Sequence, residues 1–217
     1  MMNVAVRAGS TLYYFKYYVG GYGDPIFWIF DNSSVFMSLG TLGIIGGVIL
    51  SKPLRERFEK RILIVALTLL NSLIVALFVF IPPDEFLLML IVNTVGAIVI
   101  GPTPAIIWAM YADTADYGEW KTGRRTTALI FSGLRFAQKM GLAVGGGLSG
   151  YLLSFFGFVA NQEQVDSSLL GIRLMFCIFP AVFAVLSVLT ILFYPIDRRT
   201  ILVMEKDLHA RRESERG

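Results

Sequence analysis

The sequence predicts an all-α protein, a polytopic membrane bundle of about six transmembrane helices whose first helix is short. Three observations predict it. Hydrophobic residues make up 55% of the 217-residue chain and charged residues only 16%, against about a quarter charged in an ordinary soluble domain. Mean hydropathy is +0.66. Apolar stretches also recur at close to the ~20 residues that cross about 30 Å of hydrocarbon, each closed by charged or turn-forming residues.

The first stretch, 1–19, begins "MMNVAVRAGSTLYYFKYYVG". It lacks the basic end, apolar core and small-residue cleavage site of a signal peptide. It reads as the later part of a spanning helix, closed by the turn-rich "GGYGDP". The second span covers 26–50 and leads into the basic loop "SKPLRERFEKR". The third, 62–81, stops at "PPDE", where two prolines remove helical donors. The fourth, 86–111, contains Pro102 and Pro104, which bend it. The fifth, 127–158, is long enough to tilt or to project beyond the bilayer. The sixth, 172–194, ends at Pro195, and 195–217 form a charged tail. Residues 1–194 thus form the transmembrane bundle.

The basic residues alternate with the spans. Fourteen of the nineteen Lys and Arg fall in 51–61, in 111–126 or in the tail, while the intervening loops near 20–25, 82–85 and 159–170 carry none. The rule that Lys and Arg stay inside places the basic loops and the C-terminus in the cytoplasm. The same placement excludes nucleic acid as a partner: the pI near 9.0 is topological, and the tail's bases are interleaved with Glu205, Asp207, Glu213 and Glu215. One cysteine, Cys177, permits no intrachain disulfide, and one distant histidine, His209, makes neither a metal site nor a nucleophile–base pair with it. No phosphate loop or dinucleotide fingerprint occurs. The chain reads as neither an enzyme nor a cofactor protein.

Ionisable groups inside a bilayer are costly and face a cavity or a partner. Arg7 and Lys16 lie on the first span, Asp31 on the second, Trp108 on the fourth, and Arg135 and Lys139 on the fifth. The third and sixth are nearly all apolar, which suggests that the first, second, fourth and fifth line an aqueous path. Lys139 is the sharpest residue. It lies twelve residues past Thr127, roughly 18 Å along a helix and so near mid-bilayer, with Arg135 one turn earlier on the same face. It reads either as a cation beside a substrate or ion path, or as a snorkelling or structurally paired lysine. Lys16, Asp31, Arg135 and Trp108 complete the candidate path. For Asp31, with Asn32, Ser33 and Ser34, an interfacial polar cluster is the competing reading. The aromatic run Tyr13, Tyr14, Phe15, Tyr17, Tyr18 reads as interfacial anchoring or as sugar stacking. Gly141 and Gly145, and Gly146 and Gly150, stand four apart, as close-packing helices require.

The segment "YADTADYGEWKTGRRT" at 111–126 concentrates Asp113, Asp116, Glu119, Lys121, Arg124 and Arg125. Acids at a helix C-terminus oppose its dipole, so the arginines are expected to hold them. The cluster reads as a cytoplasmic gate that breaks and reforms, or as a solvated loop.

"ADTADYGEWKTGRRTTALIFSGLRFAQKMG" resembles the signature between the tenth and eleventh helices of the glycoside–pentoside–hexuronide:cation symporters, within the major facilitator superfamily. Asp113, Asp116, Tyr117, Gly118, Glu119, Trp120, Lys121, Gly123, Arg125, Ser132 and Lys139 match its pattern, and "LYYFKYYVG" resembles the seventh helix. The resemblance implies the C-terminal half of a twelve-helix carrier in a bacterial cytoplasmic membrane, moving a sugar or glycoside with Na⁺ or H⁺ by alternating access. It implies that Asp113, Asp116, Glu119 and Arg125 join an inner charge network and that Lys139 lies near the sugar and cation sites. The family's cation ligands and main sugar-binding carboxylates belong to the N-terminal six helices, so a six-helix half is the expected partner and the cation site in this chain is expected to be incomplete. A membrane fragment or assembly partner without transport activity is the alternative.

Overall fold

Among the described residues, a helix forms within each span that the sequence predicts. In the computed structural model, which describes residues 1–20, 31–124 and 127–214, no strand occurs among the described residues. Helix α1 (Met2–Tyr13) runs into a π-helical turn, Tyr14–Val19, and stops at Gly20, whose φ of 78° suits glycine. α2 (Asn32–Ile49) is capped by Asp31, and α3 (Ser51–Arg57) occupies the basic loop. α4 (Lys60–Leu77) ends in a 3₁₀ turn, Phe78–Phe80. α5 (Phe86–Ile100) and α6 (Thr103–Thr122) follow, then α7 (Thr127–Phe155). α8 (Asp166–Phe176), α9 (Ile178–Ile191) and α10 (Arg198–Ser214) complete the chain. The start of the expected second span, 26–30, lies outside the described residues.

Four stretches are long and apolar enough to cross a membrane by length and composition: Asn32–Ile49, Lys60–Phe80, Phe86–Thr122 and Asp166–Ile191. α1 with its π turn, and the 29-residue α7, fill the other two expected positions. Prolines set the internal breaks. Pro102 precedes α6 and Pro104 stands in its first turn, where a missing N–H costs nothing. The sixth span was expected as one helix from 172. It starts earlier, at Asp166, and divides at Cys177, because Pro180 cannot donate to the carbonyl of Phe176.

Helix pairing follows where side chains are small. α2 lies along α5, α1 along α7, and α4 along α9, with α4 also touching α5. In the α2–α5 seam a methyl on Gly43 would sit 2.8 Å from Ala97 Cβ and 3.0 Å from the Thr94 carbonyl, and Gly47 faces Gly101 as closely. In the α1–α7 seam a methyl on Gly145 would meet Ala5 Cβ at 2.7 Å. Of the two glycine pairs on α7, Gly141 and Gly145 form this contact; Gly146 and Gly150 have nothing within 4 Å. Without a hydrophobic force between helices in lipid, such approach is what dispersion needs.

The aromatic run on the first span has a different role from either expected one. Tyr14 and Phe15 are buried in a core with Phe36, Phe78 and Phe176, and Tyr14 stacks on Phe176 at 4.2 Å between ring centroids. The π turn rotates these rings inward; Tyr13 and Tyr17 pack against Phe158 instead.

Gly47→Ala is expected to destabilise the bundle by about 1–3 kcal/mol through overpacking. Gly46→Ala, with open space around it, leaves thermal unfolding in detergent unchanged or raises it through helix propensity. Equal behaviour of the two variants would contradict the seam.

Candidate functional site

The acidic segment lies on α6, which stays helical to Thr122 and ends at Gly123 in the left-handed conformation, φ 67°. Asp113 therefore stands nine residues before the helix end, roughly 14 Å along the axis, and faces α4. Lys60 Nζ donates to its two carboxylate oxygens at 2.6 and 2.9 Å. Asp113 is thus held by Lys60 rather than by Arg124. Arg124 is exposed and its backbone N–H donates to Thr122 Oγ1; Arg125 lies outside the described residues. Asp116 and Glu119 are half-buried. Asp116 has no hydrogen-bond or ion-pair partner among the described residues.

The same end of α6 receives the tail. Trp120 Nε1 donates to Asp207 at 2.9 Å, Arg211 donates to the Trp120 carbonyl at 3.4 Å, and Lys121 lies 4.7 Å over the Trp120 ring. Met204 and Leu208, four apart on α10, are buried beneath. The tail is a docked helix, not merely a charged extension, and that apolar pair was its signal in the sequence. The basic loop, the α6 patch and the tail thus gather at one end of the bundle, where Arg55, Lys60, Asp113, Tyr194 and Arg198 line one shallow cavity.

The candidate path residues divide. Trp108 and Arg135 meet between α6 and α7: Trp108 stacks on Phe131 at 5.8 Å, and the Arg135 guanidinium lies 5.1 Å over the Trp108 ring. Lys139, one turn on, is exposed and has no polar partner among the described residues. Lys16 is not brought to this face. It donates to Asn161 Oδ1 at 2.8 Å at the opposite end, where Tyr17 accepts from the Asn161 backbone, so it clips the loop after α7. Asp31 caps α2, accepting from the Ser34 N–H at 3.0 Å and the Ser33 hydroxyl at 2.8 Å.

Two cations gain importance from the structure. Arg7 Nη2 donates to Asn93 Oδ1 at 3.3 Å, and its guanidinium lies 5.5 Å from the Phe78 ring and 5.0 Å from that of Phe176. Arg173 donates to the Val79 carbonyl at 2.8 Å and lies 4.8 Å over Tyr18. The reading of the sixth span as nearly all apolar passed over Arg173.

The family described as MFS/sugar transport protein matches residues 1–198. The uncharacterized symporter YnaJ of Bacillus subtilis is 35% identical over 70% of this chain and 33% of its own length. The inner membrane symporter YicJ of Escherichia coli is 32% identical over 86% of this chain and 39% of its own. An uncharacterized 29.9 kDa protein of Pseudescherichia vulneris is 31% identical over 89% of this chain and 68% of its own. The chain therefore spans well under half the length of both symporters.

Lys60 and Asp113 are each less than a third exposed, so their pairing should exceed that of a fully solvated ion pair. A double-mutant cycle with Lys60→Gln and Asp113→Asn, read by thermal unfolding, is expected to give a coupling of about 1 kcal/mol. A coupling of zero would show that the contact does not tie α4 to α6.

Proposed function

Because this chain belongs to the MFS/sugar transport protein family, and more narrowly to the glycoside–pentoside–hexuronide:cation symporters, we propose that it supplies the C-terminal six-helix half of a carrier that moves a sugar or glycoside with Na⁺ or H⁺. It is a multi-pass membrane protein of a transport family. The proposed setting is the bacterial cytoplasmic membrane, with α10 and the basic loop inside.

The observation that carries the reading is how the open faces of the bundle differ in chemistry. α4 exposes Leu69, Leu70, Leu73 and Leu77, and α9 exposes Val182, Val185, Leu186 and Leu189. These are lipid-type surfaces. α7 exposes Ser132, Phe136, Lys139, Ala143, Gly146 and Gly150, whose spacing puts them in one strip along the helix. A cation near mid-depth is costly against acyl chains; on a strip where Phe136 is the one large apolar side chain beside it, it suits an aqueous route walled by a second half-bundle. Trp108 and Arg135 border that strip. An aromatic face beside cations is a familiar way to hold a sugar ring and its hydroxyls, and rocking of two half-bundles about a midplane site would alternate its exposure.

The patch on α6 then acts within its own half. Lys60–Asp113 and Trp120–Asp207 tie α4 and α10 to α6, so the half moves as one body while Asp116, unpartnered among the described residues, is available to a facing half-bundle as part of a cytoplasmic gate that also includes Glu119.

In proteoliposomes the chain alone is expected to give no sugar accumulation. Assembled with a six-helix N-terminal half, it is expected to accumulate labelled sugar under an imposed Na⁺ or proton gradient. Lys139→Ala should lower that accumulation at least about tenfold, the scale of a lost charged hydrogen bond. Undiminished accumulation would remove Lys139 from the path.

A further inference from the structure

The basic end of the bundle holds two cavities that share a wall at Tyr194. The first, about 300 Å³, lies among α3, α4, α6 and the start of α10 and is lined by four bases, Arg55, Lys60, Arg61 and Arg198, and three acids, Glu56, Glu59 and Asp113. The second, about 430 Å³, is a groove between α4, α6 and the end of α9, lined by Ile64, Ile107, Met110, Ile191 and Phe193. Ile64 is three residues past Arg61 on α4, and Met110 and Ile107 are three and six before Asp113 on α6. The apolar groove therefore lies roughly 5–9 Å deeper into the bundle than the charged cavity.

We propose that the two cavities together hold one anionic phospholipid, its phosphate among Arg55, Arg61 and Arg198 and an acyl chain in the groove between α4, α6 and α9. The site needs the membrane setting of the chain but not its action as a carrier.

Lys60 and Asp113 cancel each other. The three arginines that remain face two acids, and none of them has a carboxylate within ion-pair distance among the described residues. Arg55 donates to the Ser51 carbonyl at 3.3 Å and Arg61 to the Leu192 carbonyl, both neutral acceptors. Arg198 is exposed and its side chain has no polar partner among the described residues. A guanidinium has five donors, so each arginine keeps most of its fork for an added anion, and phosphate is the oxyanion that such forks match. Glu56 and Glu59 leave the cavity an excess of one positive charge, which an anionic lipid cancels and a zwitterionic lipid does not. Their carboxylates can also accept from headgroup hydroxyls.

The groove makes the ligand a lipid rather than a free phosphate. Three of its four hydroxyls are already bonded within the protein: Thr114 and Tyr194 donate to the Met110 carbonyl, and Thr190 to that of Ser187. What remains is mostly apolar wall, which an alkyl chain fills favourably. Phe58 lines the charged cavity at 53% exposure and Phe193 the groove at 86%. Exposed rings beside cations mark the level of lipid headgroups, where basic pockets between spanning helices bind acidic lipids.

The test is lipid binding to the full chain in detergent, read by native mass spectrometry during titration with phosphatidylglycerol or with phosphatidylethanolamine of the same acyl chains. Phosphatidylglycerol should bind at least about tenfold more tightly, and an equal concentration of glycerol phosphate, which lacks the chains, should not displace it. Arg61→Gln with Arg198→Gln should weaken its binding at least about tenfold. Lys52→Gln with Arg57→Gln removes the same charge from exposed positions of α3 outside the cavity and should leave binding unchanged. Thr190→Trp, at an exposed position on the wall of the groove, should weaken it by filling the space of the chain. Equal binding of the two lipids overturns the proposal without recourse to any variant. Equal loss in the two double variants would reveal diffuse attraction to the basic end and overturn it too. Displacement by glycerol phosphate would reduce the site to a phosphate pocket, and undiminished binding to a folded Thr190→Trp chain would take the groove out of it; either result overturns the phospholipid.

Discussion

Hydrocarbon cannot solvate a charge, and the placement of every cation within the spans answers to that constraint. Arg173 donates to the Val79 carbonyl at the end of the 3₁₀ turn, where helix termination leaves acceptors unfilled. Arg135 rests on Trp108, and Arg7 on Phe78 and Phe176. Lys139 has none of these remedies. The exposed leucines and valines of α4 and α9 show what a lipid-type face looks like in this bundle, and the strip around Lys139 does not share that chemistry. The carrier reading is the simplest way to give that lysine water.

Helix interruptions do much of the positioning. The break at Cys177, forced by Pro180, sets Phe176 into the aromatic core and lets α8 and α9 serve different neighbours. The π turn after α1 brings Tyr14 and Phe15 into that core. Arg7 sits two turns earlier on α1, beside Phe176. The same few rings thus close the bundle and seat a cation.

Most of the architecture was legible because a span needs only length and hydropathy. The proline breaks near 102 followed from a missing donor, and the glycine spacing on α7 correctly marked one close approach, Gly141 and Gly145 against α1. What escaped depended on partners distant in sequence. Asp113 and Lys60 are 53 residues apart, and local charge counting sought the partner of Asp113 only among the nearer arginines. The tail read as solvated because its charges outnumber Met204 and Leu208, whose burial needs α6 beneath them. Lys16 and Asp31 looked like path residues by chain position, yet one clips a loop and the other caps a helix. Trp108, Arg135 and Lys139 fell together because α6 and α7 are consecutive and adjacent.

The account turns on what faces the side chain at position 139. The chain has one cysteine, Cys177, and it is buried, so labelling of an introduced thiol can be read almost without background. Lys139→Cys and Leu186→Cys, each in the assembled carrier in membranes, would be exposed to a hydrophilic thiol reagent. The account predicts rapid modification at 139 and none at 186, on the lipid-type face of α9. Equal protection of both positions would mean that 139 faces acyl chains, and would contradict it.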